Sequence, residues 1–395
     1  MTPPDVERKD SSLGPISESE RACWVAFNRT PGIAAKRVRA LLDRFGSLAA
    51  AWEAPARDLA LAGLDRRAAA ALEATRARLN PERELERVRH AGALVLTWRD
   101  AEYPARLAAI PDPPPVLYLK GALTPADTFA LAMVGTRRPT VYGRGVAEKL
   151  AAELAAVGVT IVSGLAKGID SHAHRGALGG GGRTIAVLGH GVDTCYPPEN
   201  RLLLAQIVEA GAVVTEYPLG TGPMAENFPP RNRIISGLAA GVLVVEAGDK
   251  SGALITSRFA AEQGRDVFAV PGPITSPASE GCHRLIQDGA KLVAGADDVL
   301  AELNPHLGAT SVQQLRLDLD AGGPGISESA AIPPIATDGE AAMIALLEEA
   351  GEPVHVDQLA RTLALPVHEV TGALALLEVQ GRVRHAGGMR YLPAS

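Results

Sequence analysis

The sequence predicts an α/β fold in which a parallel sheet is preceded by a small helical domain and followed by a second small domain. Between Phe129 and Leu303, apolar runs of four to seven residues alternate with helical stretches, which is typical of βαβ units. Before this region, apolar residues recur at helical spacing from Glu18 to Leu79. At 395 residues, 47% of them apolar, the chain is too long for one ordinary core. These observations indicate an extended Rossmann-like parallel sheet with flanking domains.

Seven strands are predicted for this sheet, each ending where a glycine or a polar motif begins. They are Leu131–Val134, Thr160–Ser163, Thr184–Leu188, Ala212–Thr215, Val242–Val245, Val267–Val270 and Lys291–Val293. The sheet domain is assigned to residues 113–303.

Residues 18–112 are predicted to form the helical domain and its connection to the sheet, after a flexible N-terminus over residues 1–17. The segment resembles a helix-hairpin-helix or SAM-like unit. Such hairpins usually carry Gly-hydrophobic-Gly, whereas this chain has Gly32-Ile33-Ala34, and alanine would obstruct a phosphate. A helical packing module is therefore favoured over a DNA contact here.

The C-terminal part is predicted to be a flexible linker over residues 304–338 and a winged-helix domain over residues 339–395. The order helix, Val356–Leu363, His368–Gln380 and a hairpin from Val383 to Leu392 indicates the winged helix. Residues 339–395 carry a net charge of −3. Since DNA is a polyanion, we expect this domain to bind a protein or to regulate the rest, rather than to bind duplex DNA as a transcription factor would.

Composition limits the kind of protein this is. The net charge of −6 argues against a protein that coats polyanions over its whole surface, and 4% aromatic residues leave few side chains for base stacking. Cys23, Cys195 and Cys282 form no CxxC pair, so neither a disulfide framework nor a zinc site is expected. No run approaches the roughly 18 apolar residues of a membrane span. We expect a cytoplasmic protein without membrane contact.

Positive charge is concentrated in four loops that follow predicted strands. The segments 134–145, 163–175, 227–233 and 248–258 carry +7 together, which leaves −13 for the remainder of the chain. In a parallel sheet, ligands bind beyond the carboxyl ends of the strands, where helix N-termini present free N–H groups. Small residues beside cations in these loops indicate an anion-binding groove.

The residues expected to bind phosphates are the small, hydroxyl-bearing, amide and cationic residues of these loops. They are Gly135, Thr136, Arg137, Arg138, Ser163, Gly164, Lys167, Gly168, Arg231, Asn232, Arg233, Lys250, Ser251 and Gly252. Phe228 and Tyr142 are candidates for stacking on bases.

The usual nucleotide motifs are absent from these loops. A Walker motif needs GxxxxGK[ST], but Asp249 precedes Lys250-Ser251, so no ATP site is predicted. Gly189-His190-Gly191 lacks the third glycine of a dinucleotide fingerprint. Several basic loops along one sheet edge suit a chain of phosphates better than one cofactor, and no cofactor is predicted.

Several polar residues allow a catalytic interpretation as well as a structural one. We expect Asp170 to cap a helix rather than to act in catalysis. His172 and His174 lie on different faces of a helix, so a metal site is disfavoured. Glu216 and Glu246 both follow strands, and ion pairs with the basic loops are favoured over a hydrolytic carboxylate pair.

The motifs also resemble a known family. Val134-Gly135-Thr136-Arg137, Ser163-Gly164-Leu165-Ala166-Lys167-Gly168-Ile169-Asp170, Ala173-His174, Phe228-Pro229-Pro230-Arg231-Asn232-Arg233-Ile234-Ile235-Ser236 and Lys250-Ser251-Gly252-Ala253-Leu254-Ile255-Thr256 are similar, in this order, to the DNA-processing protein A (DprA/Smf) family. The four-glycine run from Gly179 to Gly182 departs from the family pattern.

This resemblance implies a homodimer without enzymatic activity that binds single-stranded DNA regardless of sequence. It further implies that the protein protects incoming strands and loads RecA recombinase during natural transformation. By position, Arg137 and Lys167 are the implied leading phosphate contacts. The alternative is an enzyme resembling the nucleoside monophosphate phosphoribohydrolases, but their PGGxGTxxE motif is absent from the sequence.

Overall fold

The computed structural model describes residues 16–303 and, towards the C-terminus, residues 343–347, 350, 353–363, 370, 374, 377, 382–385 and 390–393. Its contacts divide the chain into two compact units, residues 1–315 and 316–395. Within the described residues, no helix combines the length and apolar character that a bilayer crossing demands. The predicted flexible N-terminus up to residue 15 and the predicted linker lie outside the described residues.

The first unit begins with six helices. They are α1 (Glu18–Asn28), α2 (Ala35–Phe45), α3 (Leu48–Glu53), α4 (Ala56–Leu61), α5 (Arg66–Arg76) and α6 (Pro81–His90). Four of them start at a side chain that accepts a backbone N–H of the first turn, namely those of Ser17, Ser47, Asp65 and Asn80. These caps satisfy N–H groups that have no partner inside the helix.

A buried carboxylate links α1 to the start of α3. Glu20 in α1 is 9% exposed and accepts hydrogen bonds from Trp24 Nε1 at 2.9 Å, Leu48 N at 2.9 Å and Ala49 N at 2.8 Å. The last two donors are free N–H groups at the start of α3. The charge of Glu20 is therefore compensated by the amides of a helix N-terminus.

The sheet has nine strands in the order β1-β2-β6-β5-β4-β3-β7-β8-β9. Their bounds are β1 (Leu94–Thr97), β2 (Val116–Gly121), β3 (Ala130–Val134), β4 (Thr160–Ser163), β5 (Thr184–Val187), β6 (Ala212–Thr215), β7 (Gly241–Val244), β8 (Asp266–Ala269) and β9 (Lys291–Leu292). The seven strands from β6 to β9 run parallel. The predicted Rossmann-like sheet is confirmed, and each predicted strand end lies within one residue of the observed one.

Two strands were not predicted. β2 pairs antiparallel with β6, and β1 pairs antiparallel with β2, so the sheet is mixed at one edge. β1 is only four residues long and falls inside the range assigned to the helical domain and its connection. A run this short does not distinguish a strand from a helix.

Helices cover both faces of the sheet. They are α7 (Ala105–Ala108), α8 (Val141–Ala156), α9 (Ile169–Gly179), α10 (Arg201–Ala210), α11 (Phe228–Leu238), α12 (Ala253–Glu262) and α13 (Glu280–Gln287). One apolar core contains residues of α11, α12 and α13, and another contains residues of α8 and α9. From β3 the chain adds β4, β5 and β6 on one side and then β7, β8 and β9 on the other, so the strand order reverses between β3 and β7.

The second unit contains a three-stranded antiparallel sheet in the order β10-β12-β11, with β10 (Val354–His355), β11 (Val383–His385) and β12 (Arg390–Pro393). A helix spans Val356–Leu363, as predicted. The unit has its own apolar core, which includes Met343, Leu359 and Leu374. This arrangement is the predicted winged helix.

Candidate nucleic-acid interface

A polar cleft lies where the strand order reverses. The loops after β3 and β7 meet there, because the two strands are parallel neighbours. The cleft is open and has a volume of about 490 Å³. Nine of the predicted residues line it: Gly135, Thr136, Arg137, Phe228, Arg231, Asn232, Lys250, Ser251 and Gly252. In open α/β sheets this crevice is the usual place of ligand binding.

Glu246 joins the two loops that form the cleft. It is 4% exposed, and its carboxylate accepts hydrogen bonds from Thr140 N at 2.8 Å and Thr140 Oγ1 at 2.7 Å. The carbonyl oxygen of Glu246 also accepts a hydrogen bond from Thr136 N at 2.7 Å. Glu246 thus holds a basic loop as expected, but through a threonine cap and not through an ion pair.

Two of the predicted glycines serve loop packing. Gly168 has φ +86°, and a Cβ placed there would lie 2.8 Å from Arg137 Cα. A Cβ at Gly135 would lie 2.5 Å from Ile169 Cγ1. These contacts bring the loop after β4 against the loop after β3. At these positions the absence of a side chain lets Ile169 and the backbone of the loop after β3 approach closely. Gly135 also lines the cleft, whereas Gly168 is not among its lining residues.

Arg137 and Lys250 are the exposed cations that line the cleft. Arg137 lies over the ring of Phe228, with its Cζ 5.7 Å from the ring centroid. Neither cation has an ion pair with any residue between 16 and 303. The hydroxyl-bearing residues Thr136 and Ser251 line the cleft beside them. The cleft therefore offers charge and hydrogen-bond donors that an anion could use.

Arg231 has a different environment. It is 3% exposed, and its Nη1 donates to the carbonyl oxygens of Gly164, at 2.8 Å, and Val187. Burial lowers the pKa of its guanidinium to about 10, so it stays charged near neutral pH. Burial raises the pKa of the neighbouring Asp170, and the charge of Arg231 opposes that rise. Arg231 therefore holds the carboxyl ends of β4 and β5 together from beneath the cleft.

Arg233 lies outside the cleft although the sequence predicts it as a phosphate ligand. Its guanidinium makes a bidentate ion pair with Glu216, at 2.6 and 2.8 Å, and contacts Asp112 Oδ2 at 3.3 Å. The Arg233 side chain is only 12% exposed. The ion pair expected for Glu216 is thus present, and it occupies the cation that was expected to bind DNA.

Lys167 lines a small cavity of about 60 Å³ beside the cleft, and its ammonium pairs with Glu199. The side chains of Lys167 and Glu199 are 61% and 51% exposed. The Lys167 ammonium lowers the pKa of the Glu199 carboxyl. An incoming phosphate would therefore compete with Glu199 for this cation.

Four further predicted residues do not line the cleft. The hydroxyl of Ser163 is buried and donates to Met133 O at 2.6 Å, so it is occupied. Gly164 lines the small cavity, where its carbonyl accepts from Arg231. Arg138 is exposed beside the cleft. Tyr142 lies elsewhere, because its hydroxyl donates to Pro271 O at 2.8 Å after β8.

The other polar residues singled out by the sequence have structural partners. Gly168, not Asp170, is the N-cap of α9, while Asp170 accepts from Ala166 N at 3.3 Å. His172 Nδ1 lies 2.7 Å from Glu148 Oε1, and His174 Nδ1 lies 2.7 Å from Thr184 Oγ1. The two histidines therefore face different partners.

One aromatic residue near the cleft was missed. Tyr196, after β5, is 43% exposed and lies beside Phe228, with ring centroids 5.9 Å apart. It lines the small cavity together with Phe228 and Lys167. The sequence does hold a signal for it, since Tyr196 follows the Gly189-His190-Gly191 turn at the sheet edge where the basic loops gather.

The fold and the cleft define a Rossmann-like α/β protein with a cation-lined cleft at its topological switch point and a separate winged helix. A family model described as DNA recombination-mediator protein A matches residues 94–304, and one described as DprA winged helix domain matches residues 327–389. Protein Smf of Synechocystis sp. is 36% identical over 399 residues, which cover 95% of this chain and 99% of that protein. The chain belongs to the DprA/Smf family of DNA-processing proteins.

Two comparisons with Streptococcus pneumoniae agree with this assignment. DNA processing protein DprA of that organism is 49% identical over 200 residues, 51% of this chain and 71% of the relative. The X-ray structure of DNA processing protein A from S. pneumoniae superimposes with a TM-score of 0.64 at 38% identity, covering 73% of this chain and 99% of that structure. The similarity therefore extends over the greater part of each relative.

Proposed function

We propose that the protein binds single-stranded DNA without sequence preference in the cleft at the switch point of the sheet. The observation that carries this proposal is the pair of exposed cations, Arg137 and Lys250, that line the cleft around Phe228 without an ion pair among residues 16–303. Cations bind the phosphates of any sequence equally, because every nucleotide carries the same charge.

A single strand suits this cleft better than a duplex does. The half-buried ring of Phe228 lines both the cleft and the small cavity, between cations on either side. An aromatic face can stack only on a base that is unpaired and turned outward. A base that stacks on Phe228 would take the place of the Arg137 guanidinium over the ring, and phosphates would then meet Arg137 and Lys250.

The wider role follows the family resemblance. We propose that the protein is a cytoplasmic homodimer without hydrolytic activity, that it protects incoming strands, and that it loads RecA recombinase during natural transformation. The partition into a helical domain up to residue 112, a sheet domain from 113 to 303 and a winged helix from 339 is part of the same proposal. The acidic winged helix is proposed to bind a protein.

The test compares Arg137→Ala and Lys250→Ala with Arg57→Ala, which removes the same charge from helix α4, whose residues do not line the cleft. Affinity for oligo-dT is measured by fluorescence anisotropy at salt concentrations from about 50 to 300 mM. This range brackets 0.1 M salt, where the Debye length is ~10 Å. Each phosphate contact contributes about 0.7 to the slope of log affinity against log salt, or about fivefold in affinity at 0.1 M salt.

We expect both cleft variants to lose about 0.7 of slope and Arg57→Ala to bind like the wild type. Equal slopes in all four proteins would remove the cleft from the phosphate path. Release of free base from a nucleoside monophosphate by the wild type would favour the phosphoribohydrolase alternative.

A further inference from the structure

Tyr196 differs from four other tyrosines of the protein in its hydrogen bonding. The hydroxyl groups of four other tyrosines donate hydrogen bonds within the protein: Tyr103 to Pro114 O, Tyr118 to Asn28 Oδ1, Tyr142 to Pro271 O and Tyr217 to Asn227 O. The Tyr196 hydroxyl has no such partner among the described residues, and the residue is 43% exposed. Tyr196 forms an aromatic pair with Phe228 beside the cation Lys167, and aromatic surfaces next to cations are typical of single-strand binding sites.

The surroundings of Tyr196 connect it to the cleft. Its ring is tilted by 41° to that of Phe228, and it lines the 60 Å³ cavity. Arg137, Ala166 and Phe228 line both this cavity and the larger cleft, so the two are direct neighbours. A strand that leaves Phe228 on this side meets Tyr196 next.

We propose that Tyr196 forms a second base-binding surface, which receives an unpaired nucleobase next to the base held at Phe228. This inference rests on the proposed function and extends it from a path of phosphates to two adjacent base positions. The ligand is a single-stranded nucleic acid, and the contact is with the π-face of any base.

The position of Tyr196 is supported from behind. His190 is 1% exposed and meets Tyr196 edge-to-face, with ring centroids 6.5 Å apart and an interplanar angle of 85°. Burial lowers the pKa of His190, so this supporting ring is uncharged at neutral pH. Phe228 packs over Gly189, where a Cβ would lie 2.9 Å from Phe228 Cδ1. The two aromatic rings thus rest on one short segment after β5.

Cations lie next to both rings of this aromatic pair. The guanidinium of Arg137 covers Phe228, and Lys167 lines the cavity with Tyr196. A strand whose bases contact Phe228 and Tyr196 would place its phosphates towards Arg137 and Lys167. The arrangement alternates stacking surfaces with charges, as nonspecific single-strand binding requires.

The first test separates stacking from a phosphate contact. Tyr196→Leu and Tyr196→Phe are compared with Tyr142→Leu, which alters a tyrosine of similar exposure, 47%, outside the cleft. Affinity for oligo-dT and its salt slope are measured by anisotropy. We expect Tyr196→Leu to weaken binding about 5- to 150-fold with an unchanged slope, because stacking contributes about 1–3 kcal/mol per base.

Tyr196→Phe and Tyr142→Leu are expected to bind like the wild type, since phenylalanine keeps the stacking face. Wild-type affinity in Tyr196→Leu would overturn the inference. So would an equal loss in Tyr196→Phe, which would assign the effect to the hydroxyl, or a slope reduced by about 0.7, which would assign it to a phosphate contact.

The second test locates the base. One abasic position is moved along the shortest dT oligomer that binds, and affinity is measured for each position with the wild type and Tyr196→Phe as positive controls. In these proteins, loss of the base at either of two neighbouring positions of the oligomer should weaken binding. In Tyr196→Leu, loss of the base at one of these two positions should no longer have an effect. An identical abasic profile in Tyr196→Leu and the wild type would overturn the inference alone, whereas a wild type that fails to bind oligo-dT would overturn the proposed function with it.

Discussion

Replacing Arg231 should affect stability far more than it affects phosphate binding. Arg231→Met removes the hydrogen bonds to the buried carbonyls of Gly164 and Val187 and leaves both acceptors without that donor. Hydrogen bonds to a charged donor contribute about 1.5–3 kcal/mol each, and the relief from burying a charge offsets part of the loss. The free energy of unfolding should therefore fall by about 2–4 kcal/mol, which lowers Tm by roughly 3–6 °C for a unit of this size.

The assay is thermal unfolding at a fixed scan rate, together with the salt slope of oligo-dT binding. Arg137→Met is the reciprocal control, because that side chain is exposed: its Tm should stay at the wild-type value while its slope falls by about 0.7. A Tm of Arg231→Met within about 2 °C of wild type, with a slope reduced by that amount, would refute the structural role of Arg231.

Three further predictions concern Lys167, His174 and the winged helix. Glu199→Gln should raise affinity for oligo-dT up to about fivefold at 0.1 M salt, because it releases Lys167, whereas Glu209→Gln, an equal charge change on the neighbouring helix α10, should not. Burial lowers the pKa of His174 to about 3, so its contribution to the free energy of unfolding is complete above about pH 6.5 and is lost as the pH falls towards 3, at about 1.4 kcal/mol per pH unit. His174→Asn should therefore weaken the dependence of the free energy of unfolding on pH between pH 6.5 and 3. An unchanged pH dependence in this variant would contradict the prediction. Deleting residues 305–395 should leave duplex affinity unchanged; a steep loss would show that the acidic winged helix contacts DNA.

The parallel strands could be predicted because their surroundings determine their composition. A strand covered on both faces is apolar throughout, as in Ala130–Val134, and the following glycine marks its end. The antiparallel strand Leu94–Thr97 has no such context in the sequence, because its partner is 22 residues further along the chain. The edge on which the basic loops gather follows directly from the parallel topology, so nine of the predicted site residues line one cleft.

The roles of individual cations could not be predicted in the same way. Arg231 and Arg233 are two residues apart on α11, so they point about 200° apart around its axis. Arg231 enters the layer beneath the cleft and donates hydrogen bonds to two carbonyl oxygens. Arg233 points to another side of the helix and forms an ion pair with Glu216. A sequence shows both as cations at a helix start, because their acceptors come from segments far away along the chain.

The attachment of the helices to the extra strands determines where the chain can be shortened. Arg21 in α1 donates to Val95 O at 2.7 Å, Tyr118 in β2 donates to Asn28 Oδ1 at 2.9 Å, and Arg29 donates to Leu219 O at 2.9 Å. The apolar core of the helices also includes Val116 and Val213 of the sheet. A recombinant fragment starting at residue 113 would expose this apolar face to water, so we expect it to be less soluble than a fragment that starts before α1.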